Sequence, residues 1–342
     1  FAAAPSPAPA ALDELVRRHE GLSGVLSQFR QPGQNRFGIL QTAHEAGIPV
    51  RHYAGLVHIL GHGRRSRLFN SSITERTPAL GTTLAGDKSS TAMVLRRAGL
   101  PAAVHHAVAD PDAAAAAALH IGFPVVVKPA DKRGGQGVHA DLRTPKQVAE
   151  AFAQARQISE HILVERHVAG DGHRLTVVNG QVIRVTRKRA WGVTGDGTRS
   201  ISELAVATDG SGQRPQLLDD EALGLMEQNG LAPDSILPKG RFLALRRRNN
   251  AAAGGESTTL EPDAVHPDNL ALAIRAAAAL RLDIAGVDFI TPDISRSWME
   301  LDTLICEVNS QPQMSGKLVE QLVRSQMEDG GRIPIHLVIT PD

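Results

Sequence analysis

Toward its C-terminal end the chain carries two short apolar runs with acids inside them, Ala285-Gly286-Val287-Asp288-Phe289 and Leu304-Ile305-Cys306-Glu307-Val308-Asn309. Runs of this length and composition read as buried strands. Strand alternation puts Glu307 and Asn309 on one face and turns Cys306 to the other as a small core residue. An ionised carboxylate is not buried unless something compensates for the lost hydration. Any fold this chain adopts must therefore bring countercharge to these strands. Asp288, Glu307 and Asn309 together offer hard oxygen donors of the kind Mg²⁺ takes alongside substrate phosphates. The plainer reading has Asp288 capping a turn and Glu307 paired with a nearby arginine.

At 342 residues the chain exceeds what one hydrophobic core usually covers, so two or three subdomains are expected. Aromatic residues make up 3%, which leaves few rings on which single-stranded bases could stack. A formal charge of +1 exerts no broad pull toward nucleic acid or membrane, and neither is expected as a partner. The single cysteine, Cys306, excludes an intramolecular disulfide and fits a reducing cytoplasm. No apolar run approaches the roughly 18 residues of a membrane span. The opening Ala- and Pro-rich residues 1–11 lack a basic start and a long apolar segment, and read as a flexible tail rather than a signal peptide.

Helical spacing over 12–30 and a mixed helix and strand pattern over 35–60 predict a small α/β cap at 12–86. From Asp87 onward a regular alternation begins. Helices are expected at 88–99, 111–121 and 145–157, and strands near 104–108, at 123–130 and at 161–166. In the second half, Asn179-Gly180 between apolar alternations signals a hairpin. A helix at 267–281, the two acid-bearing strands and a last helix from Gly316 complete the pattern.

The segment Gly81 to Ser90 imitates a phosphate loop, but Asp87 intervenes between Gly86 and Lys88 and no buried strand leads into it, so that reading is rejected. More informative is Val125 to Val138, where a buried strand ends at Lys128 and a loop with Gly134, Gly135 and Gly137 follows. Glycines let backbone N–H groups approach a phosphate, and a fixed lysine adds charge; a basic surface hairpin is the alternative. Glu165 ends another strand, where a carboxylate and open main chain suit an adenine edge and ribose hydroxyls. The run Leu245 to Ser257, with Arg246, Asn250 and a Gly-Gly pair, is either a solvated basic face or a cradle for an anionic acyl-phosphate.

Taken together, "VVVKPADKRGGQG", "VER", "GHRLTVVNGQVIRVTRKRAWGVTGDGTRSISEL", "LRRRNNAAAGG", "AGVDFITPDI" and "ICEVNSQP" resemble, in order, the ATP-grasp carboxylate–amine ligases, and within them the ATP-grasp half of cyanophycin synthetase. The resemblance runs from about Gly61 to about Ser315. It implies an α/β (α+β) ATP-grasp fold: two α+β lobes gripping ATP, at 87–168 and 169–342, behind the N-terminal cap. It implies Lys88 and Lys128 on phosphates, Gly134, Gly135 and Gly137 as a lid, and Glu165 with the following Arg166 and Val168 at the adenine. Asp288, Glu307 and Asn309 would hold Mg²⁺ or Mn²⁺, and Arg246 would stabilise the transferring phosphoryl group. Arg174 and Asn250 would hold substrate carboxylate or carbonyl groups.

Two departures stand out. Gly172 occupies the position of a family aspartate, leaving Asp171 beside it as the ribose candidate, and Gln313 replaces a glycine near the substrate. The implied reaction is ATP-dependent amide formation between a small-molecule carboxylate and an amine, amino acids or short peptides, by way of an acyl-phosphate. One Gly-rich loop, one hinge and one acid set predict a single kind of amide bond. A nucleotide-binding module without catalysis and an amidoligase for a non-amino-acid carboxylate are the competing readings, and a homo-oligomer fits either.

Overall fold

The computed structural model describes residues 9–27, 33–132, 136–207, 217–247 and 255–332. The chain divides into two compact units, one formed by 1–72 with 313–342 and the other by 73–312.

The first unit opens with helices α1 (Pro9–Ser27) and α2 (Gln34–Glu45), so residues 9–11 of the expected tail are helical and residues 1–8 lie outside the described residues. Strands β1 (Val50–Ala54), β2 (Val57–Leu60) and β3 (Arg67–Asn70) follow as an antiparallel meander.

The second unit begins with β4 (Ile73–Thr74), α3 (Ala79–Gly86) and α4 (Lys88–Arg97). Asp87, the residue that spoils the phosphate-loop pattern, is the N-cap of α4: its side chain accepts from Ser90 N at 2.6 Å. Then come β5 (His106–Val108), α5 (Pro111–Ile121), β6 (Val125–Pro129), β7 (His139–Leu142), α6 (Pro145–Arg156) and β8 (Ile162–Arg166). The four strands form an antiparallel sheet in the order β5-β8-β6-β7. Asp110 and Thr144 cap α5 and α6 ahead of first-turn prolines, which fixes where these helices start. Their Ala114, Ala118, Ala151 and Phe152 pack on Val125, Val127 and Val164.

The second lobe contains β9 (Asp171–Val178), β10 (Gln181–Arg189), β11 (Gly192–Thr194), α7 (Ile201–Val206), α8 (Asp220–Gln228), β12 (Phe242–Ala244), β13 (Glu256–Leu260), α9 (Pro267–Ala279), β14 (Ile284–Thr291) and β15 (Leu304–Asn309). Its main sheet has the order β13-β10-β9-β14-β15. At the turn between β9 and β10, Asn179 and Gly180 have φ of 48° and 76°, the left-handed pair a tight hairpin requires. Leu272, Ala273 and Ala276 of α9 bury against Leu175, Val287 and Phe289 on one face of the sheet. A satellite core of Trp191, Met226, Leu243 and Leu245 holds β11, β12, α7 and α8 together. These elements are too short for periodicity to reveal.

Helix α10 (Lys317–Gln326) returns to the first unit, where Leu318, Val319, Leu322 and Val323 are buried. Gly38 of α2 lies so close that a Cβ there would stand 3.4 Å from Val319. The buried amide of Asn35 donates to Ser72 Oγ at 3.2 Å and accepts from Met314 N at 2.7 Å. The first unit therefore ends at Ser72 and is completed by a C-terminal segment, instead of filling 12–86, and residues 73–86 belong with the second unit.

His173 sits on β9 opposite Phe289, on the face that carries Leu175, and is 3% exposed. Burial pushes its pKa down from 6.5 to about 4. The unfolded chain therefore binds a proton that the folded chain refuses across this interval, and stability is full above pH 6.5 and lost as pH falls toward 4. The loss at pH 4 amounts to about 3 kcal/mol from this group. Denaturant melts of the wild type at pH 7 and pH 4.5 should show that slope, and His173→Leu should flatten it.

Candidate functional site

The centre of the second unit is a rung across neighbouring strands. Arg174 on β9 pairs in register with Asp288 on β14, and Asp288 with Glu307 on β15. The Arg174 guanidinium grips Asp288 with both ends of its fork, Nε donating to Oδ1 at 2.8 Å and Nη2 to Oδ2. Lys188 of β10 stands 3.6 Å from Oδ1. Gly286, two pairs further along and on the same face, leaves room for this arginine. A Cβ there would meet Pro312 at 2.9 Å and Arg174 Cδ at 3.6 Å.

Here the alternation expected of Leu304–Asn309 fails. The register slips between Asp288 and Phe289, because Asp288 faces Glu307 while Phe289 faces Ile305. Cys306 is the extra residue of a β-bulge. Ile305 and Val308 both join the α9-side core, whereas Cys306 packs with Leu304, Ile290, Ala103 and Val168. The thiol thus shares the side of Glu307 instead of opposing it, and burial pushes its pKa up, away from reactivity.

Asn309 Nδ2 lies 3.4 Å from Asp288 Oδ2. With the amide turned over, its nitrogen donates to Glu307 Oε1 at 3.3 Å and its oxygen accepts from Arg174 at 3.2 Å. The structure brings Asp288, Glu307 and Asn309 together, and as two carboxylates and an amide they match the donors of a hard divalent cation. The fit is best at Glu307, which has no basic side chain within 4 Å among the described residues. Asp288 brings only the lone pairs that Arg174 and Lys188 leave.

The first lobe contributes its lysines. Lys128, on a strand buried along its whole length, donates to Glu165 Oε1 of β8 at 2.6 Å. His105 Nε2 lies 2.8 Å from the other carboxylate oxygen. Burial works to raise the Glu165 pKa, but the charges of Lys128 and His105 and their hydrogen bonding outweigh it and hold the carboxyl at about 2. The expectation of an open strand end at Glu165 is corrected: its carboxylate faces inward to Lys128 and His105, and only main chain is left for an adenine. Lys88, first residue of α4, donates to Ala130 O at 3.0 Å and Lys132 O at 2.5 Å, pinning the root of the Gly-rich loop. Burial, then the neighbouring Lys128, lowers its pKa. A pocket of about 160 Å³ opens here, lined by Lys88, Ala130, Asp131, Lys132, Glu307 and Asn309 among others.

Other expected residues lie elsewhere. The Arg246 guanidinium donates to Asp219 at 3.0 Å and stands over Trp191 at 5.2 Å, so the satellite core claims it rather than this pocket. Asp171, the ribose candidate, is taken by Arg189, which donates to it at 2.6 Å. Arg166 pairs with Asp302 at 2.5 Å, and Val168 is buried against Leu304 and Ala103. Gly137 has φ of 67° and its α-carbon abuts the ring of Pro129, a packing role; Gly134, Gly135 and Asn250 lie outside the described residues. Gln313 belongs to the first unit. Sequence reasoning missed His105, Lys188 and Asp131. The first two carry no motif, and Asp131 declares itself only through Ser159, whose Oγ donates to it at 2.5 Å.

Glu165→Gln should cost about 3–5 kcal/mol in a denaturant melt, because it strands the buried charge of Lys128. Asp288→Asn should also lower stability, by about 1–3 kcal/mol, by releasing Arg174. Glu307→Gln, with no cation to strand, should leave the melt unchanged.

Residues 87–186 match the model of the carbamoyl-phosphate synthase L chain ATP-binding domain, and residues 245–325 that of the RimK-like ATP-grasp domain. Cyanophycin synthetase of Trichormus variabilis is 33% identical over 328 residues, 89% of this chain and 36% of that protein. The Geminocystis herdmanii enzyme is 34% identical over 314 residues, 88% of this chain and 36% of its own length. The glutathione biosynthesis bifunctional protein of Mannheimia succiniciproducens is 29% identical over 246 residues, 66% of this chain and 32% of that one. The chain thus spans about a third of the length of these curated relatives, from 32% to 36%. A crystal structure of the bifunctional glutathione synthetase from Pasteurella multocida shares the fold, with a TM-score of 0.56 and 21% identity over 85% of this chain and 42% of that one. With two ATP-grasp models matched in order along the chain and a third of its residues shared with cyanophycin synthetase over 89% of its length, the chain belongs to the ATP-grasp family and is similar to the ATP-grasp part of cyanophycin synthetase.

Proposed function

We propose that this chain catalyses ATP-dependent ligation of a carboxylate to an amine, with amino acids or short peptides as the substrates. The observation that carries the reading is the meeting of Lys88, Glu307 and Asn309 in one pocket at the root of the Gly-rich loop. Lys128 and Lys88 bind the phosphates of ATP. An entering polyanion strengthens the charged state of Lys88 that burial weakens, and it replaces the carbonyls of Ala130 and Lys132 as that lysine's acceptor. Mg²⁺ or Mn²⁺, held by Glu307, Asn309 and Asp288, would neutralise charge on the transferring phosphoryl group.

Arg174 and Lys188 already lie beside Asp288, and they take the electrostatic role expected of Arg246. The carboxylate substrate attacks the γ-phosphorus, ADP leaves, and the amine then displaces phosphate from the acyl carbon. Walls that exclude water protect the acyl-phosphate between the two steps.

Incubation with ATP, a divalent cation, hydroxylamine and a panel of amino acids and dipeptides should release ADP and form a hydroxamate only with the true carboxylate. Glu307→Gln should lower ADP release on the order of 10²–10³-fold at an unchanged melting temperature. Lys128→Ala should act chiefly on KM for ATP, since a contact present before the reaction contributes to ground-state binding. Near-normal turnover of Glu307→Gln at saturating cation would overturn the assignment.

A further inference from the structure

The buried chain from His105 through Glu165 to Lys128 is not accounted for by phosphate binding alone. The side chains of all three members are nearly sealed from solvent, at 5% for His105, 6% for Glu165 and 8% for Lys128. The two oxygens of Glu165 face different groups: Oε1 accepts from Lys128 at 2.6 Å, and Oε2 lies 2.8 Å from His105 Nε2, a close contact without hydrogen-bond alignment. Neither ring nitrogen of His105 has a hydrogen-bond partner among the described residues, so the 2.8 Å approach to Glu165 is the polar contact the structure gives this buried ring.

Leu163, two residues before Glu165, pairs in register with Lys128, and Glu165 itself pairs with Val126. The carboxylate therefore reaches the ammonium along a diagonal, and its rotamer decides where the Nζ points. The side chain that closes on Oε2 from the other side is His105, at 2.8 Å.

We infer that His105 is a positioning residue for nucleotide binding: it anchors Glu165 so that Lys128 is aimed at the phosphates of ATP. The inference rests on the proposed ATP-dependent reaction and adds a residue to it. With His105 replaced by an apolar side chain, Glu165 can swing and carry the ammonium with it, and the first consequence is weaker ATP binding. The chemical step follows less, because the acids and cations around Asp288 and Glu307 are untouched.

The test is a double-mutant cycle read by direct ATP binding and by the split between KM and kcat, with circular dichroism to confirm folding. His105→Leu should weaken ATP binding about tenfold, as removing one of the two polar contacts of a buried carboxylate frees it to turn. In a Lys128→Ala background the same change should be within twofold of neutral, since the lysine to be aimed is gone. His105→Gln, which keeps an N–H donor, should recover most of the loss and serves where the leucine variant does not fold. An equal loss in both backgrounds, or none in either, would overturn the role. A wild-type chain that takes up no ATP at all would overturn the ligase reading and this inference together, whereas ATP binding indifferent to His105 overturns the inference alone.

Discussion

The ion pair of Arg174 with Asp288 is the contact on which the second lobe depends. Asp288 sits in β14, with strands on both sides and the α9 core directly beneath Val287 and Phe289. Without a cation in register its charge would face the cost of desolvation alone. Arg174 reaches it only because β9 pairs with β14 at that register. Because side chains alternate, a slip of one residue in that pairing would turn Arg174 into the core and bring His173 to the acid. The hairpin closed by Asn179 and Gly180 sets a second register, that of β9 with β10, which puts Lys188 on the strand beside Arg174.

Each functional charge in the described site rests on a partner that a substrate could replace, with one exception. Lys128 rests on Glu165, Lys88 on the carbonyls of Ala130 and Lys132, and Asp288 on Arg174 and Lys188. Glu307 has no basic side chain within 4 Å among the described residues, although Lys88 and Arg174 act on it from further off, and it lines the pocket. An isolated half-buried acid beside a lysine is where a divalent cation gains most and displaces least.

Local features of this architecture were legible in the sequence, and long-range ones were not. The Asn-Gly hairpin, the capped helices α5 and α6, the strand ending at Lys128 and the acid set of β14 and β15 all follow from neighbours a few residues apart. The partners of those residues lie far along the chain: Glu165 is 37 positions from Lys128, and Asp288 is 114 from Arg174. Motif reading assigned Arg246 to the acyl-phosphate because it lies in a basic run. Asp219 and Trp191, 27 residues or more away, take it first. The bulge at Cys306 escaped for another reason: an extra residue in a strand leaves no mark in an apolar pattern, yet it turns a thiol from one face to the other.

By its size and lining the pocket matches the phosphate end of the proposed nucleotide. At about 160 Å³ the pocket is smaller than the roughly 300–1,000 Å³ that usually enclose a drug-sized ligand. Its walls are mostly polar, from Thr82, Lys88, Asp131, Lys132, Glu307, Asn309, Ser310 and Gln311, with only small or single apolar groups between them. Such walls suit phosphates and a cation and offer no flat apolar face to a base. Just past β8, Val168 is buried against Leu304 and Ala103 and His167 N donates to Pro124 O. Lys128 and Glu165 lie on the neighbouring strands β6 and β8. The Glu165 carboxylate turns inward to Lys128 and His105, so under the proposed reaction its part is to hold that lysine and not to meet a base.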